Sequence, residues 1–246
     1  MPGFGRVLTR CFAIQAAWNY ERMMGTGFGW AIAPALRPLA EGGGEGGARY
    51  RAAVARQSRF FNAHPYFAAL AIGAAARAEH DGESPERIAR LREALCGPLG
   101  SVGDRLFWAG WLPACAALGV VLVAAGAGIW AVAVFLALYN IPHVGCRVWA
   151  LQAGWARGLQ VAAALNTPPL RAALAVAGPA AAFCLGLAVP VAFAWQLHGA
   201  GTEVWAWAGG GAVAFAVVVR LIRRVSGVAV AASLLGLTWL AGVVLW

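Results

Sequence analysis

The side chains able to do chemistry are few and fall in three short stretches. Trp18-Asn19-Tyr20-Glu21-Arg22 crowds an amide, a phenol, an acid and a guanidinium into five residues. Phe60-Phe61-Asn62-Ala63-His64-Pro65-Tyr66 sets Asn62 and His64 among aromatic rings, and Gly97 to Trp108 carries Asp104 four residues before Trp108. Neutral donors and acceptors beside aromatic faces suit a sugar, whose hydroxyls need hydrogen bonds and whose C–H face needs an apolar surface. Asn19, Glu21, Asn62, His64, Asp104 and Trp108 are therefore the candidate substrate-contacting residues. Three of the polar ones have a structural alternative: Glu21, with Arg22, can pair with helix neighbours, Asn62 can satisfy backbone at a helix break, and Asp104 can act as an ion-pair partner or a helix-start acid. Asn140 and His143, flanking Pro142, can likewise bond carbonyl groups that the proline frees. Arg105 reads as a membrane-edge anchor.

Catalysis finds no footing here. No nucleophile elbow or Ser-x-x-Lys surrounds any serine, and His64, His80, His143 and His198 lack metal-ligand spacing. Gly25-x-Gly27-x-Gly29 has neither a preceding strand nor the lysine of a phosphate loop. No catalytic group, metal or cofactor is expected. The five cysteines, Cys11, Cys96, Cys115, Cys146 and Cys184, have no Cys-x-x-Cys spacing and read as small buried apolar residues.

The elements that must position these groups belong to a membrane. Hydrophobic residues make up 61% of the 246, mean hydropathy is +0.68, and only 12% are charged. The net charge of +9 comes from arginine alone, since the chain has no lysine. Without a basic, aromatic-interleaved soluble module, the excess charge implies topology and anionic lipid rather than nucleic acid. The apolar start from Cys11 to Trp18 is too short for a secretory leader, so none is expected.

The pattern predicts an all-α polytopic membrane protein: an arginine-rich N-terminal region, 1–105, of interfacial and re-entrant helices, then a region, 106–246, of about five membrane-spanning helices. Leu8 to Met23 is spaced as an interfacial or partner-packing helix. Gly25, Gly27 and Gly29 are expected to break the chain, Glu41 to Ala48 to be a flexible connection, and Arg49 to Arg59 a helix. Phe67 to Ala76 is too short to span, which makes it re-entrant or buried in protein. Ser84-Pro85-Glu86 starts a helix with an Ile88, Leu91 and Leu95 stripe and an expected Glu86 to Arg90 pair. Gly97 and Pro98 are expected to stop it, leaving Gly97 to Gly103 as an irregular turn.

The five apolar runs are Leu106 to Gly126, Ile129 to Val144, Ala172 to Trp195, Val204 to Val219 and Val228 to Trp246. The first two must form a tight hairpin. Arg147, Arg157 and Arg171 are assigned to one loop and Arg220, Arg223 and Arg224 to another, while Gly126 to Gly128 and Gln196 to Glu203 lack basic residues. By the positive-inside rule the N-terminal half is cytoplasmic. Gly178, Ala182 and Gly186, and Gly154 with Gly158, are spaced for close helix approach.

Taken in order, Trp18-Asn19-Tyr20-Glu21-Arg22-Met23, Phe60-Phe61-Asn62-x-His64-Pro65-Tyr66 and Gly97-Pro98-Leu99-x-x-x-Gly103-Asp104-x-x-Phe107-Trp108 resemble the IID subunit of the mannose/fructose/sorbose family of the phosphoenolpyruvate-dependent sugar phosphotransferase system. Tyr139-Asn140-Ile141 and Gly154-x-x-x-Gly158 resemble a fourth block. The resemblance implies a subunit of the bacterial cytoplasmic membrane that joins a IIC subunit, in a trimeric hetero-oligomer, to translocate a hexose. Phosphorylation of the sugar would then belong to the cytoplasmic IIB and IIA carriers. Members of that family usually have histidine at the position of Gln57 and arginine at those of Leu112 and His143, and a small or uncharged residue at that of Arg105. These departures admit a second role, a regulatory or docking component with little transport.

Overall fold

The computed structural model describes residues 1–41, 44–196, 201, 210 and 211. It divides into two compact units, Met1–Ala192 and Phe193–Trp246, and the first contains the elements that matter here. Among the described residues every regular element is helical: α1 Phe4–Cys11, α2 Gly25–Leu36, α3 Gly44–Gln57, α4 Ala68–His80, α5 Pro85–Gly103, α6 Leu112–Ala124, α7 Ile129–Arg157 and α8 Pro168–Gln196. Three continuous helical stretches have membrane-crossing length and hydropathy: Pro85–Ala124, Ile129–Asn166 and Pro168–Gln196. The fourth and fifth apolar runs lie outside the described residues, apart from Gly210 and Gly211.

Helix α4 is the centre. Its residues from Ala68 to Ala76, with Ala78 and Glu79, are all buried, so this short apolar segment is enclosed by protein. Its main neighbour is α7, and the two backbones nearly touch. A Cβ on Gly154 would run into the Leu70 carbonyl, and one on Gly73 into the Leu151 carbonyl. Small residues thus serve close approach at Gly154. Gly178 and Gly186 on α8 have nothing within 4 Å of the Cβ position.

The expectations that glycine and proline break the chain fail for one reason: packing and backbone satisfaction outweigh their weak helix propensity. Gly25, Gly27 and Gly29 lie inside α2, where Gly27 lets the helix pass against the Ile14 carbonyl. Residues 12–17 are turns, so the first helix ends at Cys11 and not at Met23. Gly97 and Pro98 do not stop α5, because Leu95, Leu99 and Gly103 present one buried face through them. Instead of an irregular turn, α5 runs into a π-helix, Asp104–Trp111, in which Leu112 N–H reaches back five residues to the Phe107 carbonyl. Pro113, which has no N–H to offer the preceding turn, follows this rewound segment.

Of the other expectations, some hold and some do not. Ser84 Oγ accepts from Arg87 N–H at 3.3 Å as the α5 cap, and Ile88 and Leu95 are buried. The α6 to α7 hairpin turns through Gly126 and Gly128 at φ 83° and 53°, a region open to glycine. Arg147 and Arg157 lie within α7 rather than in a loop, and Arg171 is in the first turn of α8. Glu86 does not pair with Arg90; the ion pair on that stretch joins Arg87 to Glu83.

A buried polar knot fixes α3 against α4 and α5. Glu79, 4% exposed, accepts from Arg56 Nε and Nη2 at 3.0 and 2.7 Å and from Gln57 Nε2 at 2.7 Å. Arg92 donates to the carbonyls of Arg56, Gln57 and Arg59, satisfying the orphan acceptors at the end of α3. Removing the acid leaves Arg56 facing the interior without its counter-charge. Glu79→Gln is therefore expected to destabilise the detergent-solubilised protein by about 3 kcal/mol, read as a lowered thermal midpoint, with Arg56→Gln in the same chain adding little further loss.

Candidate functional site

The first two sequence motifs are tied by backbone before any side chain takes part. Met24 N–H donates to the Phe61 carbonyl at 2.9 Å and Phe61 N–H to the Arg22 carbonyl at 3.2 Å. Met23, between them, adopts φ 51°, a region rarely used by residues with a Cβ. Asn19 shapes this turn: its Oδ1 accepts from Arg22 N–H at 2.8 Å and its Nδ2 donates to the Ala17 carbonyl at 3.2 Å. Glu21 points to solvent and pairs with Arg22 at 3.5 Å, its side chain 81% exposed.

Beside this seam lies a recess of about 480 Å³ whose wall includes Asn62, His64, Asp104 and Trp108, with Gln15 and Ser101. The structure thus brings four of the six candidates together from two distant stretches of chain; Asn19 and Glu21 do not line it. Its size lies within the range of about 300–1,000 Å³ common for small-molecule sites. Gly97 and Gly100 on α5 keep that wall low. The π-helix sends Asp104 and Trp108 outward to the recess while Phe107 turns into the core.

His64 is the deepest of these residues, 2% exposed. It stacks on Phe107 with centroids 5.5 Å apart and meets Trp108 at 5.4 Å and Tyr66 at 4.7 Å. A Cβ on Gly103 would strike its ring, so only glycine lets α5 pass there. His64 Nδ1 accepts from Tyr66 N–H at 3.3 Å, which places the ring proton on Nε2, a buried atom with no partner. Burial pushes the ring down from 6.5 to about 4, and the Arg147 charge adds to the shift. The imidazole is neutral at pH 7, a donor held ready in an aromatic wall.

Behind that wall the structure assembles residues the motifs did not connect. Tyr66 and Tyr139 share a 2.5 Å hydrogen bond between hydroxyls, and Tyr66 stacks on His143 at 4.7 Å. Asn140 donates to the Leu136 carbonyl, but the carbonyl four residues before Pro142 is that of Leu138, and it is taken by Trp111 Nε1 at 2.9 Å. His143 bonds Asn140 Oδ1 and Arg147 instead of backbone. The i, i+3 and i+7 spacing of Asn140, His143 and Arg147 was the one available signal for this cluster.

A larger pocket, of about 650 Å³, lies between the π-helix, α7 and the start of α8. Phe67, Leu106, Phe107, Trp111, Cys146 and Trp149 are among its walls. Its apolar surface offers a sugar little to bond. All five cysteines are free thiols, with Cys11 and Cys115 buried and the other three partly so.

Comparison with known proteins adds an independent line. Residues 4–202 match the family described as the PTS system mannose/fructose/sorbose family IID component. The mannose-specific EIID component of Escherichia coli K12 is 29% identical over 160 residues, covering 63% of this chain and 55% of the relative. The sorbose-specific EIID component of Klebsiella pneumoniae is 32% identical over 155 residues, covering 60% and 54%. The chain thus spans about half the length of the curated relatives it matches. In three dimensions it resembles a chain of the cryo-EM structure of the mannose transporter ManYZ with microcin E492, with a TM-score of 0.59 and 27% identity over 75% of this chain and 68% of that one.

The buried neutral histidine sets a pH dependence. Its folded pKa lies below its free value, so its contribution is fully present above about 6.5 and is lost as pH falls toward about 4. Thermal midpoints of the wild type are expected to fall across that window, and His64→Gln, which carries no titrating ring, to show a flatter profile over the same range.

Proposed function

This chain belongs to the mannose/fructose/sorbose family of IID components of the sugar phosphotransferase system, and on that premise we propose that it works with a IIC subunit to move a hexose across the bacterial inner membrane. Phosphorylation on arrival is the work of IIB, itself charged by IIA; this chain contributes binding and translocation and no phosphoryl chemistry. The IIC and IID pair is read as a hetero-oligomer, in a trimeric arrangement. The observation that carries the sugar-binding reading is the recess in which Asn62, His64, Asp104 and Trp108 converge.

Each residue then has a physical task. The Asp104 carboxylate accepts from sugar hydroxyls, the strongest single hydrogen bond in the set because its acceptor is charged. Asn62 offers an amide donor and acceptor, and His64 offers its Nε2–H. Trp108, with 45% of its surface exposed, supplies the apolar face for the C–H side of the ring. Asn19 acts earlier in the chain of causes, by shaping the turn that holds Phe61, and with it the start of the Asn62 stretch, in place. Glu21 serves the solvent-facing side of the same turn.

Arginine placement supports an N-terminal half, residues 1–105, on the cytoplasmic side. Arg157 closes α7 and Arg171 opens α8 at one end of these helices, whereas the α6 to α7 connection has no basic residue.

Uptake of radiolabelled hexose into vesicles holding IIC, IIB and IIA tests the proposal. Adding this chain is expected to raise uptake, and Asp104→Asn to lower that gain by roughly tenfold, the worth of one charged hydrogen bond, with membrane insertion unchanged. Equal uptake with and without the chain overturns the transport role; loss of insertion in Asp104→Asn shows that the acid is structural.

A further inference from the structure

One cation in the interior has its hydrogen-bonding edge unused. Arg147 on α7 is 4% exposed. Its Nη1 donates to His143 Nδ1 at 2.6 Å, and His143 Nε2 in turn donates to Asn140 Oδ1 at 2.8 Å. Nε is buried and without a partner. Among the described residues it makes no other hydrogen bond, and the ion pairs there join Arg22 to Glu21, Arg56 to Glu79, Arg77 to Asp81 and Arg87 to Glu83. The groups packed around Arg147 are neutral: His143, Tyr66, Phe12 and, beyond Tyr66, Tyr139. Arg92, whose Nε is also buried without a partner, differs in spending both terminal nitrogens on three carbonyl groups.

An arginine in a low-dielectric interior without a counter-charge is costly, and such residues mark sites where a partner is expected. The geometry also says what kind of group fits. Tyr66 and Phe12 rings stand 4.1 and 4.7 Å from the guanidinium carbon as cation–π neighbours. With Nη1 committed to His143, the open side is the edge shared by Nε and Nη2, the edge a planar carboxylate grips through two parallel hydrogen bonds. A lipid phosphate could grip the same edge, so the experiment below separates a partner's acid from anionic lipid. Phe12, just past the end of α1, is half-exposed, so this side of the guanidinium lies near the protein surface.

From these observations we infer that Arg147 receives a carboxylate from a membrane-spanning helix of the partner subunit, so that the interior charge of this chain is balanced only in the complex. The inference rests on the proposed pairing with a second membrane subunit. It places an energetic centre of that pairing at the Asn140, His143 and Arg147 side of α7.

Co-purification of the partner with the full-length chain, co-expressed and solubilised in mild detergent, tests it. Arg147→Gln is expected to lower partner recovery by about tenfold or more, and Arg147→Lys to lower it less. Among the partner's intramembrane acids, one amide substitution should reproduce the loss and add nothing to Arg147→Gln. Arg147→Glu combined with an arginine at that partner position should restore recovery. Wild-type recovery with Arg147→Gln, or no partner acid that matches, overturns the inference, as does a dependence on Arg147 seen only when anionic lipid is present. If Arg147→Gln misfolds alone, the partner-side substitutions decide, since they leave this chain intact. Failure of the wild-type chain to recover any partner marks failure of the pairing itself, a result distinct from retention by Arg147→Gln.

Discussion

The near-contact of α4 and α7 backbones at Gly73 and Gly154 is the constraint on which the rest depends. Two helices can approach this closely only where neither carries a side chain at the crossing. Once α4 is seated there, the chain that leads into it is fixed, and residues 61–67 must pass between α5, the π-helix and α7. His64 then falls against Gly103 and Phe107, Tyr66 against His143, and Phe67 against Trp149. The aromatic wall behind the recess and the neutral cage around Arg147 are two sides of one placement.

The same economy governs polar groups released inside the fold. Prolines within helices free a carbonyl four residues back, and two of these are collected by donors from elsewhere. Arg10 Nη1 bonds the Trp30 carbonyl, four before Pro34, at 2.7 Å; Trp111 Nε1 bonds the Leu138 carbonyl, four before Pro142, at 2.9 Å. Each proline so becomes a joint that fastens one element to another, α1 to α2 and the π-helix to α7. Buried cations follow the same rule, with Arg92 closing the end of α3 and Arg56 held by Glu79. Arg147 stands apart because its open edge has no such recipient within the described residues.

Much of this was legible in the residues, and the exceptions share a cause. Composition announced a membrane protein, and the brevity of Phe67 to Ala76 narrowed it to a segment either re-entrant or buried in protein, of which the structure shows burial. The Ser84 cap and the hairpin at Gly126 to Gly128 were legible since both are local. Asn62 and His64 share a recess with Asp104 and Trp108, while their role stays with the proposal. Gly25 to Gly29 and Gly97 to Gly103 misled, since glycine signals a break locally and a close approach globally, and only tertiary packing distinguishes the two. Charge in a sequence signals a helix boundary, whereas Arg147, stacked on Tyr66 and Phe12, sits within a helix.

Whether the recess holds sugar can be read most directly at Cys96, which lies in its wall as a partly exposed free thiol. With Cys11, Cys115, Cys146 and Cys184 replaced by alanine and the chain assembled with IIC, the rate of maleimide labelling at Cys96 would be measured with and without transported hexose. Sugar seated against Asn62, Asp104 and Trp108 should shield the thiol and slow labelling in a saturable way. A labelling rate indifferent to saturating substrate, in a complex that still transports it, would contradict a sugar site in this recess.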